Sequence, residues 1–234
     1  MSLISRVFDY LKNPSMFPLF NFNKLENKGE RIDIDMTREI EFDKLNLFQK
    51  IHYNRYLFLK NTVDVEKDNL DIACGTGYGT IIMASTSKTI EGYDIDKFVI
   101  ESIKERYKNY KNVSFGVLNI LDLNFSSKYD NIFSFETLEH FTEKEIYLIL
   151  KKYHTSLKSN GVLYFSTPYK QNNDWRMKIL GHHKTFEVDE NKIQKWLGDN
   201  SFKLDFFKYQ NYKTFEVSES LDNIDIIICK CTKI

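Results

Sequence analysis

Apolar positions along the chain recur at two periods, and the points where one period gives way to the other outline the architecture. Short apolar runs predict strands at 69–73, 88–94, 113–118, 130–135 and 162–166. Between them, helical spacing predicts helices over 79–85, 97–108 and 142–157, the last with Ile146, Leu148, Ile149, Leu150 and Tyr153 on an apolar face. Asn160-Gly161 reads as the turn into the fifth strand, and Thr167-Pro168 as its end. A helix over 189–197 follows, then two strands, 202–207 and 223–229, with no clear helix between them. Strand–helix alternation closed by two late strands predicts an α/β fold. Its sheet is doubly wound, seven-stranded and mostly parallel, with an antiparallel hairpin strand at the C-terminal edge.

Upstream, Leu3, Ile4, Val7, Phe8 and Leu11 have helical spacing and are followed by Pro14 and Pro18, which predicts a short helix and then an irregular cover segment. Phe48, Ile51, Arg55 and Leu59 predict a helix leading into the first strand. The expected division is a cover segment at 1–47 and a main domain at 48–234, with an aromatic and basic lid insertion near 169–186.

Composition narrows the picture. A chain of 234 residues, 42% hydrophobic and 15% aromatic, has the material for one large core and is not a disordered or fibrous chain. The 33 Lys+Arg balance 33 Asp+Glu, so no overall field favours a phosphate backbone, and no long nucleic acid is expected as partner. Cys74, Cys229 and Cys231 are too few and too unevenly placed for a disulfide framework or a four-ligand zinc site, which suits a reducing, cytoplasmic setting. The first residues lack the pattern of a signal peptide, and no stretch resembles the ~20 apolar residues of a membrane span. Oligomeric state is open, a dimer included.

The chemistry concentrates at strand ends. Asp71-Ile-Ala73-Cys-Gly75-Thr-Gly77-Tyr-Gly79 places three of the nine glycines within five positions at the end of the first strand. Glycines there tolerate positive φ and let a ligand approach the backbone, while the following helix offers free N–H donors. Position 80 is Thr, so the dinucleotide spacing G-x-G-x-x-G is not met, and no Gly-Lys-Ser/Thr follows to make a phosphate loop. The pattern Asp-x-x-x-Gly-x-Gly-x-Gly resembles the cofactor loop of class I S-adenosylmethionine-dependent methyltransferases, whose fold is Rossmann-like. The resemblance covers roughly residues 48–230 and implies S-adenosyl-L-methionine as cofactor and S-adenosyl-L-homocysteine as product.

That resemblance assigns roles by position. Asp71 orients the loop or the cofactor's amino group, and Ala73, Gly75, Gly77 and Gly79 admit its methionine portion. Asp94, with Ile95 after it, stands seventeen positions beyond Gly77 and would accept from the ribose diol, while Asp96 suits a helix N-cap. Asn119-Ile120 matches the adenine stretch, with Asn where the family usually has Asp and Asp122 as the fallback in a shifted register. Glu136-Thr-Leu-Glu139-His140 matches the end of the fourth strand, with Glu136 also beside the cofactor. Relatives with Glu-x-x-Glu-His include quinone-pathway and small-RNA terminal O-methyltransferases that bind a divalent cation there, whereas many metal-independent relatives share the letters.

His183, three positions before Phe186, resembles a histidine of the sugar-modifying and RNA-modifying branches. It would complete a metal set (Mg or Mn) with Glu136, Glu139 and His140, or act alone as general base, His140 and Glu139 being the other catalytic candidates. Arg55, in a segment similar to one in carbohydrate-modifying enzymes, would pair with the cofactor's carboxylate, or else serve as a helix cap or surface salt bridge. With Tyr169, Trp175, Arg176 and Lys178 in the insertion, the resemblance implies O-methylation of a sugar or nucleotide-linked sugar, as in surface polysaccharide biosynthesis. The alternatives are a metal-dependent O-methyltransferase of a quinone-like molecule or an RNA terminus, and a non-catalytic cofactor-binding module.

Overall fold

The computed structural model describes residues 31–173, 183–220 and 222–234. The expected helix near the N-terminus, and Trp175, Arg176 and Lys178 of the expected lid, lie outside the described residues. Helix α1 (Leu47–Lys60) leads into β1 (Lys67–Ile72), α2 (Tyr78–Ala84), β2 (Ser87–Asp94), α3 (Lys97–Arg106) and β3 (Val113–Val117). The chain continues through β4 (Tyr129–Phe135), α4 (Glu143–Ser156), β5 (Leu157–Pro168), α5 (Glu190–Asp199), β6 (Phe202–Gln210), β7 (Val217–Ser218) and β8 (Ile226–Lys233).

Local chemistry explains where the helices start. Asn46 and Thr142 each form a reciprocal capping box, with Gln49 and Glu145 respectively. Asp96 accepts from the N–H groups of Phe98 and Val99, the cap read from the sequence, and Asp189 caps α5 through Lys192 N–H.

The sheet runs β3-β2-β1-β4-β5-β8-β6-β7. Neighbours from β3 to β5 are parallel, and β8 lies antiparallel to both β5 and β6. The expected class holds: a mostly parallel α/β sheet with antiparallel C-terminal strands. Among the described residues there are eight strands rather than seven, because Val217–Ser218 pairs with Tyr209 and Gln210, and two residues are too short to carry a period. The last strand also falls a few residues later than its pattern predicts. Asn160 (φ 59°) lies within β5, where the pairing jumps from Tyr129↔Leu157 to Asn131↔Val162, so the predicted turn is a bulge.

Alternation along the central strands sends neighbours to opposite faces. Ile132, Leu163, Phe165, Ile227, Cys229 and Cys231 join the core under α4 and α5, with Ile146, Tyr153 and Trp196. Phe133, Tyr164, Ile226 and Ile228 join the other, under α1 and α2, with Tyr56 and Ile82. Both faces are therefore covered, as parallel strands require. The three cysteines are buried free thiols, and no helix among the described residues is long and apolar enough to cross a membrane.

Helices α1 and α2 meet at Gly79, where an added Cβ would stand 2.1 Å from Tyr56 Cζ. The Tyr56 hydroxyl in turn donates to Asp71 Oδ1 at 3.1 Å, so the ring cannot retreat without breaking that bond. Gly79→Ala is expected to cost about 1–3 kcal/mol by overpacking. A denaturant midpoint equal to that of the wild type would show that α2 simply tilts away.

Candidate functional site

The carboxyl ends of β1, β2, β3 and β4 lie along one edge of the parallel sheet, where an open α/β sheet binds its ligand. A cleft of about 280 Å³ occupies that edge. Ala73, Gly75, Asp94, Ile95, Asn119, Ile120, Glu136 and His140 line it, so eight of the residues singled out from the sequence converge on one space. Asp71, Gly77, Gly79, Arg55, Glu139 and His183 are not in its lining and support it from outside or sit beside it.

The glycine loop is built from below. Asp71 is buried, accepting from Thr80 Oγ1 at 2.6 Å as well as from Tyr56. Burial pushes its carboxyl up to about 7, with Asp94 adding to the shift while the two hydroxyls oppose it. These bonds tie the end of β1 to α1 and α2. Gly77 has φ 75° and opens α2, and an added Cβ would also lie 2.9 Å from the Phe115 ring. Ala73 adopts φ 59° without being glycine, and Glu136 at the end of β4 adopts φ 48°. Left-handed backbone costs an L-residue roughly 1–2 kcal/mol, so Ala73→Gly should raise stability by about 0.5–1 kcal/mol once chain entropy is counted. A lowered unfolding midpoint would mean that the alanine methyl packs well enough to outweigh the strain.

Asp94 sits at the end of β2, one oxygen toward the glycine loop and the other toward the start of α3. Its Oδ2 accepts from Gly75 N–H at 3.0 Å, and its Oδ1 from Asp96 N–H at 2.9 Å. Each carboxylate oxygen has a further lone pair for a hydroxyl donor. Asn119 Oδ1 accepts from Leu121 N–H at 3.0 Å and faces the same cleft, while Asp122 is exposed and not in the lining. Of the two residues weighed for this position, Asn119 lines the cleft and Asp122 does not.

Arg31 is a cleft residue that no sequence signal indicated. Its guanidinium lies 3.6 Å from Asp94 and 3.1 Å from Asp96, with its Cγ over Gly75. The following residues are strapped down: Thr76 Oγ1 donates to Ile32 O, and Arg106 forms a two-pronged ion pair with Asp33. Thr137 and Phe141 also line the cleft without having been foreseen.

At the far end of the cleft, Glu136 Oε1 accepts from Ser166 Oγ at 2.6 Å and pairs with Arg55 at 3.1 Å. Arg55 is only 1% exposed; its Nε donates to Gln210 Oε1, its Nη1 to Ser166 Oγ, and its Nη2 is buried without a hydrogen-bond partner. Arg55 thus makes a buried network rather than a surface salt bridge. Beside it, His52 bonds the Tyr78 hydroxyl, and burial together with the Arg55 charge pulls its imidazole down to about 3.

Glu139, His140 and His183 come together. Their ligand atoms lie within 4.8 Å of one another, and the two imidazole rings meet edge to face at 5.1 Å. Glu139 is buried and its Oε2 has no hydrogen-bond partner; burial and the neighbouring Glu136 hold its carboxyl well above the ordinary carboxylate range. Glu136 is not part of this trio, being taken by Arg55 and Ser166. A carboxylate and two imidazoles at this separation can move a proton or hold a divalent cation.

A family model described as a methyltransferase domain matches residues 64–201. The malonyl-[acyl-carrier protein] O-methyltransferase of Acetivibrio thermocellus is 37% identical over 102 residues, 43% of this chain and 35% of that protein. The putative methyltransferase 235L of Invertebrate iridescent virus 6 is 27% identical over 198 residues, 74% of this chain and 72% of the viral one. The first of these matches therefore spans about a third of its relative. Among solved structures, the N-methyltransferase NodS from Bradyrhizobium japonicum WM9 in complex with S-adenosylhomocysteine superposes with a TM-score of 0.61 at 17% identity, over 80% of this chain and 87% of that one.

Proposed function

The chain belongs to the methyltransferase domain family, and from that premise we propose that it methylates a hydroxyl of a carbohydrate or nucleotide-linked sugar, with a histidine taking the proton. It is an S-adenosylmethionine-dependent methyltransferase. The observation that carries the finer reading is the meeting of Glu139, His140 and His183 beside a cleft whose other end holds Asp94.

When bound, S-adenosylmethionine supplies an electrophilic methyl group. The protein's part is to orient the reactants and accept a proton. Asp94 is suited to accept both ribose hydroxyls, and Asn119 Oδ1 to accept from the adenine amine, without charge assistance. Arg55, whose Nη2 is buried and unpartnered, is suited to the cofactor's carboxylate through a small shift past Glu136. At the acceptor end, His183 takes the hydroxyl proton as the oxygen attacks, with His140 next to it.

A second reading has its own observation. Glu139, His140 and His183 have the donor types and spacing of a divalent-cation site, and the orphaned Glu139 Oε2 is a ligand atom awaiting a partner. Glu139, His140 and His183 would hold Mg or Mn, which would polarise the acceptor hydroxyl.

One experiment tests both readings. Nucleotide sugars and glycan precursors are screened as acceptors by S-adenosylhomocysteine release, with and without chelation and re-addition of Mn, alongside calorimetric titration of Mn into the protein. Turnover on a sugar that survives chelation supports the histidine base. Turnover only with Mn, and Mn binding, supports the cation site. Turnover on phenolic or amine acceptors but on no sugar would overturn the sugar reading.

A further inference from the structure

Gln171 stands outside every motif read from the sequence, yet it grips the ring of His183. Its side-chain Oε1 lies 2.6 Å from His183 Nδ1, a short hydrogen bond across twelve residues of chain. An amide oxygen can only accept, so the proton of that bond belongs to the imidazole. In a neutral ring, a proton on Nδ1 leaves Nε2 as the nitrogen with a lone pair.

The backbone makes this contact rigid. Gln171 O accepts from Glu187 N–H at 2.9 Å, and Lys170 N–H donates to Val188 O at 2.8 Å, so the two arms of the 169–186 insertion are paired at their base. Directly after His183, the N–H groups of Lys184 and Thr185 donate to Glu139 O at 2.7 and 3.1 Å. The imidazole is thus held through its ring by Gln171 and through its backbone by the turn that carries Glu139 and His140. A flip of the ring that exchanged its nitrogens would break the Gln171 bond.

We propose that Gln171 is a positioning residue that sets the tautomer of His183, holding the proton on Nδ1 and so placing the ring's lone pair on Nε2. The catalytic consequence rests on the role given to His183 above; the tautomer itself does not. Gln171→Leu keeps the size and removes the acceptor, whereas Gln171→Glu keeps an acceptor at the same place.

The test uses the full chain labelled with ¹⁵N-histidine, without cofactor or acceptor, at a pH where the imidazole is neutral. Two-bond ¹H–¹⁵N correlation spectra distinguish the two tautomers, and a His183→Asn spectrum assigns the signal. The expected result is an Nδ1–H pattern in the wild type, its loss to Nε2–H or a mixture in Gln171→Leu, and its retention in Gln171→Glu. An Nε2–H pattern in the wild type, or no change in a folded Gln171→Leu, would overturn the inference. Because no acceptor or metal enters the measurement, a failure of the sugar or cation reading leaves it standing, and its own failure leaves those readings to their own test.

Discussion

His183→Ala is expected to lower kcat for methyl transfer by roughly 10²–10⁴-fold, the usual contribution of a positioned proton acceptor, while the affinity for S-adenosylhomocysteine stays within about threefold. The split follows from geometry. His183 is not in the lining of the cofactor cleft, whereas it lies against Glu139 and His140 at the end where the methyl group would be passed on. Removing the ring therefore takes away chemistry and little binding. The measurement is single-turnover methyl transfer to the sugar acceptor, paired with calorimetry of the product. Equal turnover in the variant would remove His183 from the reaction and leave His140, already in the cleft, as the acceptor. Weakened product binding with unchanged chemistry would move His183 to the cofactor side instead.

A second large effect is expected at the opposite end of the cleft, where Asp94→Asn should weaken cofactor binding by about 10²-fold. Hydrogen bonds to a charged group contribute roughly 1.5–3 kcal/mol each, and under the proposed reading the carboxylate would accept from both ribose hydroxyls. Asparagine keeps the shape and one carbonyl oxygen, so part of the interaction survives. It also loses an acceptor for Gly75 N–H or Asp96 N–H and removes the charge that faces Arg31, which loosens the loop as well as the ligand. Calorimetric titration with S-adenosylhomocysteine reads the effect directly. An affinity within about threefold of the wild type would show that Asp94 serves only the loop and that the ribose is held by other groups.

These two ends were not equally legible in the sequence. Asp94 and the glycine loop were readable because each follows a strand end and precedes a helix start; the bond from Asp96 to Asp94 spans two residues, whereas the one from Gly75 spans nineteen and joins two neighbouring strand ends. Asn119 was readable for the same reason, as the first residue of a turn after β3. Arg31 was not. It reaches Asp96 across 65 residues from a segment whose composition indicates only a cover. Gln171 was equally silent, since a glutamine in a loop has no pattern until the chain shows which ring it meets. Arg55 was noticed as a guanidinium, but its partners, Gln210 and Ser166, lie 155 and 111 residues away, and only folding makes its charge a buried one.

The sequence by itself determined the alternation of strands and helices through the first five strands, the parallel character of the sheet and the strand ends at which Asp94, the glycine loop and Asn119 stand. All of these are encoded by local period, capping and turn chemistry. Tertiary structure alone decided that the last strand enters the sheet between β5 and β6, since strand patterns specify an element and not its neighbour. It also separated four candidate ligands into a trio and a residue claimed by Arg55, because side chains that share a motif still compete for partners that arrive from elsewhere in the chain.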